Sequence, residues 1–348
     1  MLIKYFKSSF IFTALAICLG FFIAGWKGAL ICLILGILEV SLSFDNAVVN
    51  AKVLDTMTAE WRHRFITWGI AIAVFGMRLI FPLLIVGVTA SLSPVEVIQL
   101  AVAKPQEYQH HLEGAHVEIM GFGGTFLFMV FWKYFVDETK DVHWLAFIER
   151  PLTKLGKIEA VQVALTLLAV YITTKFLPVE SVISFWVASV FGLITYIAAD
   201  GVGAILGGEE DEDNVVGKTI QRAGLASFLY LELLDASFSF DGVVGAFALS
   251  DNIFIIAIGL GIGAMFVRSL TLMLVDLGTL SEYRYLEHGA FWAIGTLAVI
   301  MYYNTVSEIP EVVTGLIGAA LIILALISSI IVNKFETKDE EEEEFHTI

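Results

Sequence analysis

The sequence contains little charge. Of its 348 residues only 16% are Asp, Glu, Lys or Arg, whereas 58% are hydrophobic, and the mean hydropathy is +0.83. A soluble domain carries about 25% charged residues, so this composition excludes an ordinary soluble protein. It predicts an integral membrane protein, because several apolar runs reach the ~20 residues that a helix needs to cross a bilayer.

Cysteine is also scarce, and the common catalytic signatures are absent. The only two cysteines, Cys18 and Cys32, lie in apolar runs and form neither a disulfide framework nor a metal-spaced pair. The sequence has no Gly-x-Ser-x-Gly, no His-Glu-x-x-His and no phosphate-binding loop. An enzyme is therefore the least favoured class, no tightly bound cofactor is expected, and nothing indicates nucleic-acid binding.

The apolar runs predict an all-α membrane protein with about ten transmembrane helices. They belong to one membrane domain over residues 1–334, and the first run follows two lysines like a signal sequence but lacks a clear cleavage site. We therefore expect an uncleaved first helix. The predicted spans are residues 10–26, 29–50, 65–90, 119–136, 160–177, 182–200, 224–248, 252–276, 288–304 and 312–333.

Basic residues are distributed unevenly between the loops that join these spans. With the N-terminus inside the cell, nearly all loop lysines and arginines fall on the cytoplasmic side, and only Lys27, Lys104 and Lys175 fall on the other. Positive charge favours cytoplasmic loops. The sequence therefore predicts a multi-pass protein in the lipid bilayer of the inner (plasma) membrane, with both termini in the cytoplasm.

Two polar motifs interrupt spans that should be buried in the membrane. Residues 38–51 read Leu-Glu-Val-Ser-Leu-Ser-Phe-Asp-Asn-Ala-Val-Val-Asn-Ala, and residues 234–248 read Leu-Asp-Ala-Ser-Phe-Ser-Phe-Asp-Gly-Val-Val-Gly-Ala-Phe-Ala. Both place a carboxylate, two serines and a second carboxylate at the same spacing. A carboxylate at the centre of a membrane helix costs roughly 2.5–3.5 kcal/mol and usually marks a functional site.

The two motifs lie in the second and seventh spans, which run in opposite directions through the membrane. An arginine, Arg78 or Arg268, follows each motif. We therefore expect an inverted-topology repeat, with repeat 1 at about residues 29–136 and repeat 2 at about residues 224–304. Many secondary transporters have this architecture, with the site at the repeat interface near the midplane.

The motif side chains are carboxylates, hydroxyls and one amide, without His, Cys or Met. Such oxygen donors suit hard divalent ions such as magnesium, calcium or manganese rather than zinc or copper. On an unbroken helix Glu39 and Asp45 would lie about 120° and ~9 Å apart, too far to share one ion. We therefore expect each motif helix to be discontinuous, near residues 43–46 and 239–242, where irregular backbone must line a cavity or be buried in protein.

The arginines leave a structural alternative open. Asp45 would pair with one of Arg78 and Arg268, and Asp241 with the other, as fixed salt bridges between helices. Ion binding and arginine pairing are compatible, because the arginines would compete for the carboxylates once the ion leaves.

Clustered charge also occurs outside the motifs. Residues 108–118 would either gather a metal or form a polar loop without function, whereas residues 207–214 and the acidic tail 335–348 should be disordered and solvated. The candidate ligands of the first segment are His110, His111, Glu113, His116 and Glu118.

The motifs resemble those of a known family. Glu-x-x-Leu-Ser-x-Asp-Asn at 39–46 and Asp-x-x-Phe-Ser-x-Asp at 235–241 are similar to the paired motifs of the TerC-like membrane proteins, in the superfamily that includes the lysine exporters. The arginine after each motif, Phe-Gly-Gly-Thr-Phe-Leu at 122–127 and the segment 285–294 extend the resemblance over most of residues 29–304.

The chain departs from the TerC-like pattern at three points. It is longer between its repeats, has Gly242 where a second amide or hydroxyl is expected, and has Asp235 in place of a second Glu. It therefore resembles a branch related to TerC rather than a central member of the family.

The resemblance implies metal-ion homeostasis, because TerC-like proteins are associated with manganese export and with resistance to tellurium compounds. Carried over residue by residue, it implies that the ion is bound by Glu39, Asp45, Asn46, Asp235 and Asp241. The neighbouring polar residues that would support this set are Ser41, Ser43, Ser237, Ser239, Arg78 and Arg268.

We therefore predict a transporter that exports a divalent cation, manganese in preference, by alternating access. Protons are the expected coupling ion, since carboxylates in a dry site can hold protons after the metal has left. Two alternatives remain open. One is a membrane scaffold in a metal- or tellurium-stress complex, and the other is an exporter of an organic solute such as an amino acid, with Phe44 and Phe240 shaping its pocket.

Overall fold

The computed structural model describes residues 2–158, 160–207, 216–247 and 249–346, without the side chains of 202–223, 239–241, 336–346 and a few single positions. This part of the chain is 85% helix and contains no strand. The predicted all-α class is therefore confirmed.

The first half of the chain contains eight α-helices and one π-helix. They are α1 (Leu2–Leu42), α2 (Phe44–Asp55), α3 (Ala59–Ala71), the π-helix (Ile72–Ile80), α4 (Phe81–Thr89), α5 (Pro94–Ala103), α6 (Pro105–Gly114), α7 (His116–Phe135) and α8 (Ala146–Leu155). The helices that follow are α9 (Val161–Thr174), α10 (Val179–Gly207), α11 (Val216–Ala246), α12 (Ile253–Asp276), α13 (Thr279–Glu282), α14 (Leu286–Asn304) and α15 (Glu311–His346).

Helix α1 is folded into a hairpin. Its backbone leaves helical geometry at Ala24 (φ −136°, ψ 23°) and Gly25 (φ 63°, ψ −154°). A Cβ placed on Gly20 would lie 2.8 Å from the Cys32 Sγ, a residue that a straight helix would hold ~18 Å away. The chain therefore reverses at Gly25, near the end of the predicted span 10–26 and before the predicted span 29–50.

Both halves of this hairpin pack on α12, which is the most buried of the candidate membrane helices. Near one end of the first half, the Ser9 hydroxyl donates to the Met265 carbonyl at 2.8 Å. In the second half, the Cys32 thiol donates to the Ile255 carbonyl at 3.7 Å. These contacts place α12 beside the helix that ends in the first motif.

Helix α7 is the centre of a second group of helices, formed with α10 and α14. Its Thr125 hydroxyl and the Tyr302 hydroxyl of α14 are 2.6 Å apart and buried. The ring of Phe131 packs on Trp292 of α14, with ring centroids 5.5 Å apart. The second motif helix, α11, lies between this group and the α1–α12 group.

Five helices in the described part are long and apolar enough to cross a membrane. They are Ile3–Leu42, Ile72–Thr89, Val179–Gly201, Ile253–Asp276 and Val312–Phe335. The pair Pro105–Gly114 and His116–Phe135, bent by 52°, would be a sixth. These helices support a multi-pass membrane protein, whereas ten spans in an inverted repeat stay a prediction.

The predicted discontinuity of the motif helices holds for the first motif alone. Ser43, with φ −105° and ψ 21°, separates α1 from α2. The second motif lies inside α11, which continues through residues 239–242, so the break predicted there is wrong. The break coincides with Ser43, whose hydroxyl donates to the Glu39 carboxylate at 3.2 Å. The Ser237 hydroxyl donates to the Leu233 carbonyl of its own helix at 3.0 Å, as its equivalent Ser41 does to Ile37.

The three charged segments outside the motifs have different outcomes. Residues 108–118 are not a loop, because α6 and the start of α7 cover them. The backbone of the tail 335–348 continues α15 as far as His346, where we predicted disorder, since Glu and Lys are good helix formers. Of the acidic segment 207–214, all but Gly207 lie outside the described residues.

Candidate functional site

The first motif supplies a buried carboxylate that is paired with an arginine. Glu39, on the last turn of α1, and Arg78 are each only 2% exposed, and the Arg78 Nη2 lies 2.5 Å from the Glu39 Oε1. The Ser43 hydroxyl donates to the same carboxylate oxygen at 3.2 Å. The helix break at Ser43 therefore lies one turn after Glu39, and the residue at the break donates a hydrogen bond to the Glu39 carboxylate.

Arg78 belongs to the π-helix, a rare element that often occurs at functional sites. Its Nη1 donates to the carbonyl of Ala73 in the same element at 2.5 Å. This bond holds the side chain along the π-helix, so the guanidinium extends towards the two motifs.

The second motif contributes Asp235 from α11. The Asp235 Oδ1 accepts a hydrogen bond of 2.7 Å from the Asn46 side-chain amide, and its Oδ2 lies 3.7 Å from the Arg78 Nη1. One guanidinium thus lies between Glu39 and Asp235, which are almost 200 positions apart in the sequence. The structure therefore brings together four predicted site residues around Arg78: Glu39, Ser43, Asn46 and Asp235.

The contacts between the motifs are reciprocal. Asn46 of the first motif contacts Asp235, the first carboxylate of the second motif. Gly242, which aligns with Asn46, lies against Glu39, which aligns with Asp235: a Cβ on Gly242 would be 3.0 Å from the Glu39 Oε2. The same position of each motif therefore lies against the first carboxylate of the other motif.

A second arginine pairs with a carboxylate that we did not predict. Arg268 of α12 donates to the carbonyl of Phe65, lies over the Phe65 ring with its Cζ 3.9 Å from the centroid, and is 4.0 Å from the Glu232 Oε1. Glu232 lies three residues before Asp235, and its charge within an apolar run could have indicated a functional residue. We missed it because the equivalent position of the first motif is Gly36.

A small cavity lies between these groups, with room for the centre of about one water molecule, ≈ 10 Å³. Several buried oxygens nearby have no hydrogen-bond partner among the described residues: the Oδ1 atoms of Asn46 and Asn50, the Asp235 Oδ2 and both carboxylate oxygens of Glu232. The cavity is lined by Ser43, Asn46, Asn50, Phe65, Ala73, Arg78, Asp235, Ala264, Val267 and Arg268.

Asp45 lies outside this cluster. It is buried, but its Oδ1 accepts a hydrogen bond from the Asn46 backbone at 3.0 Å, and its Oδ2 is directed towards α15, 3.9 Å from the Cβ position of Gly318. Arg78 and Arg268 pair with other carboxylates, so the predicted pairing of Asp45 with one of them is wrong. The helix restarts at Phe44, and Asp45 in its first turn faces α15 rather than Glu39.

The remaining predicted residues are separate from the cluster or lie outside the described part. Ser41 is exposed, and its hydroxyl donates to the Ile37 carbonyl at 2.9 Å. Ser237 donates to its own helix. The side chains of Ser239 and Asp241 lie outside the described residues.

Clusters of classical metal ligands are absent from the described part of the chain. No three His, Cys, Asp or Glu side chains there are arranged to hold one metal ion, either at residues 108–118 or between the motifs. In the first of these places, Gln109 donates to Glu113 at 2.7 Å. Between the motifs, the Arg78 guanidinium lies where a cation bound by Glu39 and Asp235 would lie.

The described cluster retains a negative formal charge. The carboxylates are Glu39, Asp235 and Glu232, and the guanidiniums are Arg78 and Arg268. Three acids against two bases leave one net negative charge when all are ionised. A cation can therefore gain by entering, provided that it displaces a guanidinium or uses the unpaired oxygens.

Residues 44–336 match the family described as "Protein of unknown function (DUF475)". The match begins just after Ser43, so it covers Asp45, Asn46 and the whole second motif but leaves out Glu39. No curated protein and no solved structure matches the chain.

Proposed function

The chain belongs to this DUF475 family, and we propose that it is a membrane transporter that exports a divalent metal cation, manganese in preference, through the carboxylates of its two motifs. The observation that carries the proposal is the buried guanidinium between Glu39 and Asp235, beside a cavity the size of one water molecule and oxygens that lack a hydrogen-bond partner among the described residues. It agrees with the resemblance to TerC-like proteins, from which the preference for manganese comes.

A purely structural ion pair explains this arrangement less well. Buried charges in proteins are normally paired and fully hydrogen-bonded, because each unpaired buried group costs about 1–3 kcal/mol. Here Asp235 and Glu232 retain oxygens without a hydrogen-bond partner among the described residues. Unpaired oxygens beside a cavity are expected where a cation is bound in another step of the cycle.

We assign Arg78 the role of an internal cation. When the site holds no metal, its guanidinium compensates the charges of Glu39 and Asp235. An arriving divalent cation displaces it and binds the carboxylates together with amide oxygens of Asn46 and Asn50, which are the kind of ligands that hard cations prefer. Arg78 then returns as the metal leaves, so the carboxylates are paired in both states.

The predicted grouping of the loops on two sides of the membrane is supported by contacts between distant residues. Lys52 pairs with Glu287 at 2.8 Å, and Lys133 pairs with Asp200. All four are predicted on the cytoplasmic side. On the predicted outer side, the rings of Tyr108 and Phe247 are 5.8 Å apart. An inverted repeat with both termini in the cytoplasm remains part of the proposal.

The test measures manganese in cells grown under manganese load. Cells that express the wild type should contain less manganese than cells without the protein, and the difference should disappear for Glu39→Gln and Asp235→Asn. Glu60→Gln is the matched control, because Glu60 pairs with Arg64 on the exposed surface and should leave export unchanged.

Membrane fractions show whether each variant is inserted at the wild-type level. Equal manganese content in all these cells, with normal insertion, would exclude manganese export. Collapsing the proton gradient in the same assay tests the coupling, since export that continues unchanged is not driven by protons.

A second candidate, export of an organic solute, is favoured by one observation. A cavity of about 300 Å³ lies on another side of the second motif, lined by apolar side chains that include Phe81 and Phe122, and by Ala236 and Ser237 of α11. Aromatic and apolar walls suit a small organic molecule. Ala188→Trp, which fills this cavity, should abolish export of labelled amino acids if they are the substrate, and leave manganese export intact if they are not.

A further inference from the structure

A larger cavity, of about 340 Å³, lies between α2, α7, α10, α11 and α14, at the end of the bundle that we predict to be cytoplasmic. Its walls combine polar and apolar groups, in contrast to the apolar cavity next to Ser237. The lining residues are Val53, Val130, Lys133, Tyr134, Asp137, Ala199, Asp200, Ala226, Ser227, Tyr230 and Phe291.

Three charged groups line this cavity. The Lys133 ammonium pairs with the Asp200 carboxylate, and their side chains are 51% and 44% exposed, so water reaches the pair. Asp137 accepts hydrogen bonds from the Thr139 hydroxyl at 2.7 Å and its backbone at 2.9 Å, which hold the pKa of Asp137 below its usual range. The cavity therefore presents two carboxylates and one ammonium, which is paired with one of them.

The cavity is close to the carboxylate cluster along two helices. On α2, Asn46, Asn50 and Val53 lie on one face. Asn50 lines the small cavity of the cluster, and Val53, only ~4.5 Å further along the axis, lines the larger one.

On α11, Tyr230 lines the larger cavity and Asp235 the small one, ~7.5 Å apart along the axis. Leu231, which lies between these two residues in the sequence, is fully buried. A short plug of protein therefore separates the two cavities, and the unpaired Oδ1 of buried Asn50 lies next to it.

We infer that the larger cavity is the vestibule through which a divalent cation reaches the buried carboxylates, with Lys133 as a tethered cation that the metal displaces from Asp200. Asn50 is the first ligand beyond the plug. This inference rests on the proposed function and names the entrance, its gatekeeping charge and a further binding residue. The alternative is a surface cleft with an exposed salt bridge, whose removal would leave transport unchanged.

The first experiment measures the initial rate of Mn²⁺ transport into proteoliposomes at low ionic strength. Lys133→Gln removes the tethered cation and should raise the rate at subsaturating Mn²⁺ by roughly tenfold, because a cleft of one sign of charge accelerates the entry of the opposite charge. Asp200→Asn should lower it. Lys104→Gln is the matched control, since Lys104 pairs with Glu107 at 2.8 Å on the exposed surface outside the vestibule.

A second experiment tests occupancy of the vestibule directly. In a Cys18→Ser background, which removes the exposed native thiol, Ser227→Cys should react with a charged, membrane-impermeant thiol reagent. Mn²⁺ should abolish this reaction. Ala199→Cys on the facing helix is a second reporter, so a failure of one variant to fold does not prevent the measurement.

The outcomes separate this inference from the proposed function. If the purified wild type binds Mn²⁺ while Lys133→Gln transports at the wild-type rate and Mn²⁺ leaves the labelling unchanged, the vestibule is wrong and the transporter proposal stands. If the wild type neither binds nor transports Mn²⁺, both are overturned. If Asn50→Ala weakens Mn²⁺ binding and Lys133→Gln raises the transport rate, the path from the vestibule past Asn50 to the carboxylates is supported.

Discussion

At the scale of single residues, the charge pairs between the helices depend on close backbone approach. Gly69 lies against the ion pair of Arg268 and Glu232. A Cβ on Gly69 would overlap the Arg268 guanidinium and come within 2.6 Å of the Glu232 Oε1. The same holds for Gly263, where a Cβ would overlap the Glu39 side chain. Small residues at membrane helix interfaces allow this kind of approach, and here they leave room for charged side chains.

Gly69→Ala should therefore separate Arg268 from Glu232. We expect a loss of about 1–3 kcal/mol in the free energy of unfolding, the cost of leaving a buried charged group without its partner. Denaturant unfolding in detergent measures this loss. Gly114→Ala is the control, because a Cβ on Gly114 meets nothing within 4 Å. Equal stability of the two variants would show that the pair is dispensable.

The cluster residues that occupy equivalent positions of the repeat could be predicted from the sequence. Glu39 and Asp235 occupy equivalent motif positions, and the arginines follow both motifs, so a shared site could be predicted. Glu232 has no equivalent in the first motif and was missed. Asp45 was assigned to the site by its place in the motif and by the resemblance to TerC-like proteins, but the direction of its side chain depends on the turn at Ser43, which neither defines.

Lys140, in the segment between α7 and α8, gives the clearest pH dependence outside the membrane spans. Its ammonium lies 3.6 Å from the centroid of the Tyr134 ring. Burial lowers the pKa of Lys140 from its usual 10.5 to about 8, although Glu149, Glu287 and Asp137 favour the charged form. The unfolded chain therefore binds more protons between pH 8 and 10.5, so stability should rise with pH in that window.

Lys140→Met removes this titration and should make the unfolding midpoint less dependent on pH. The variant should gain stability relative to the wild type below pH 8, and its advantage should shrink as pH rises towards 10.5. Thermal unfolding of the purified protein between pH 6.5 and 9.5 shows the difference. Lys104→Met, an exposed lysine, serves as the control. A constant gap across the range would contradict the role of Lys140.

At the scale of elements, the hairpin of α1 depends on one residue. Gly25 has φ 63° and ψ −154°, a region that is essentially restricted to glycine. The sequence predicted two spans here, because about 40 apolar residues are too long for one crossing, but the turn has no proline or polar loop. The backbone requirement of Gly25 explains how two helices reverse with no intervening segment.

Gly25→Ala should destabilise the reversal by about 1–3 kcal/mol through backbone strain alone, since a Cβ at this position meets no atom within 4 Å. Limited proteolysis and unfolding in detergent should both show a weakened contact of residues 2–24 with α12. Gly28 is an unsuitable comparison, because a Cβ there would overlap Gly20. Exposed Gly114→Ala again provides the reference, and a Gly25→Ala protein as stable as this reference would show that the turn is not strained.

The two motif helices also differ in a way that the sequence did not predict. Both motifs have the same serine and carboxylate spacing, yet the first contains a break and the second is continuous. The aligned serines Ser41 and Ser237 make the same bond, each donating to the carbonyl four residues earlier in its own helix. The break lies at Ser43, whose hydroxyl donates to the Glu39 carboxylate. The bond shared by Ser41 and Ser237 therefore occurs in both motif helices and does not determine whether the backbone breaks.

At the scale of the whole molecule, the helical class and the membrane location follow from composition, whereas the way the helices share the membrane does not. The contacts that cross long stretches of sequence join residues predicted on the same side, as Lys52 and Glu287 do. They fix which loops lie together but leave the absolute orientation to the distribution of lysine and arginine. The positive-inside tendency is therefore the physical reason for placing both termini in the cytoplasm.

Single cysteines in a Cys18→Ser background test this orientation and the number of crossings together. Glu138→Cys and Ser281→Cys should react with an impermeant thiol reagent only from the cytoplasmic side, and Gln106→Cys and Lys175→Cys only from outside. All four positions are exposed in the structure. Reaction of Gln106→Cys and Glu138→Cys from the same side would mean that α7 does not cross the membrane. Alternating access through the two motifs would then have no structural basis.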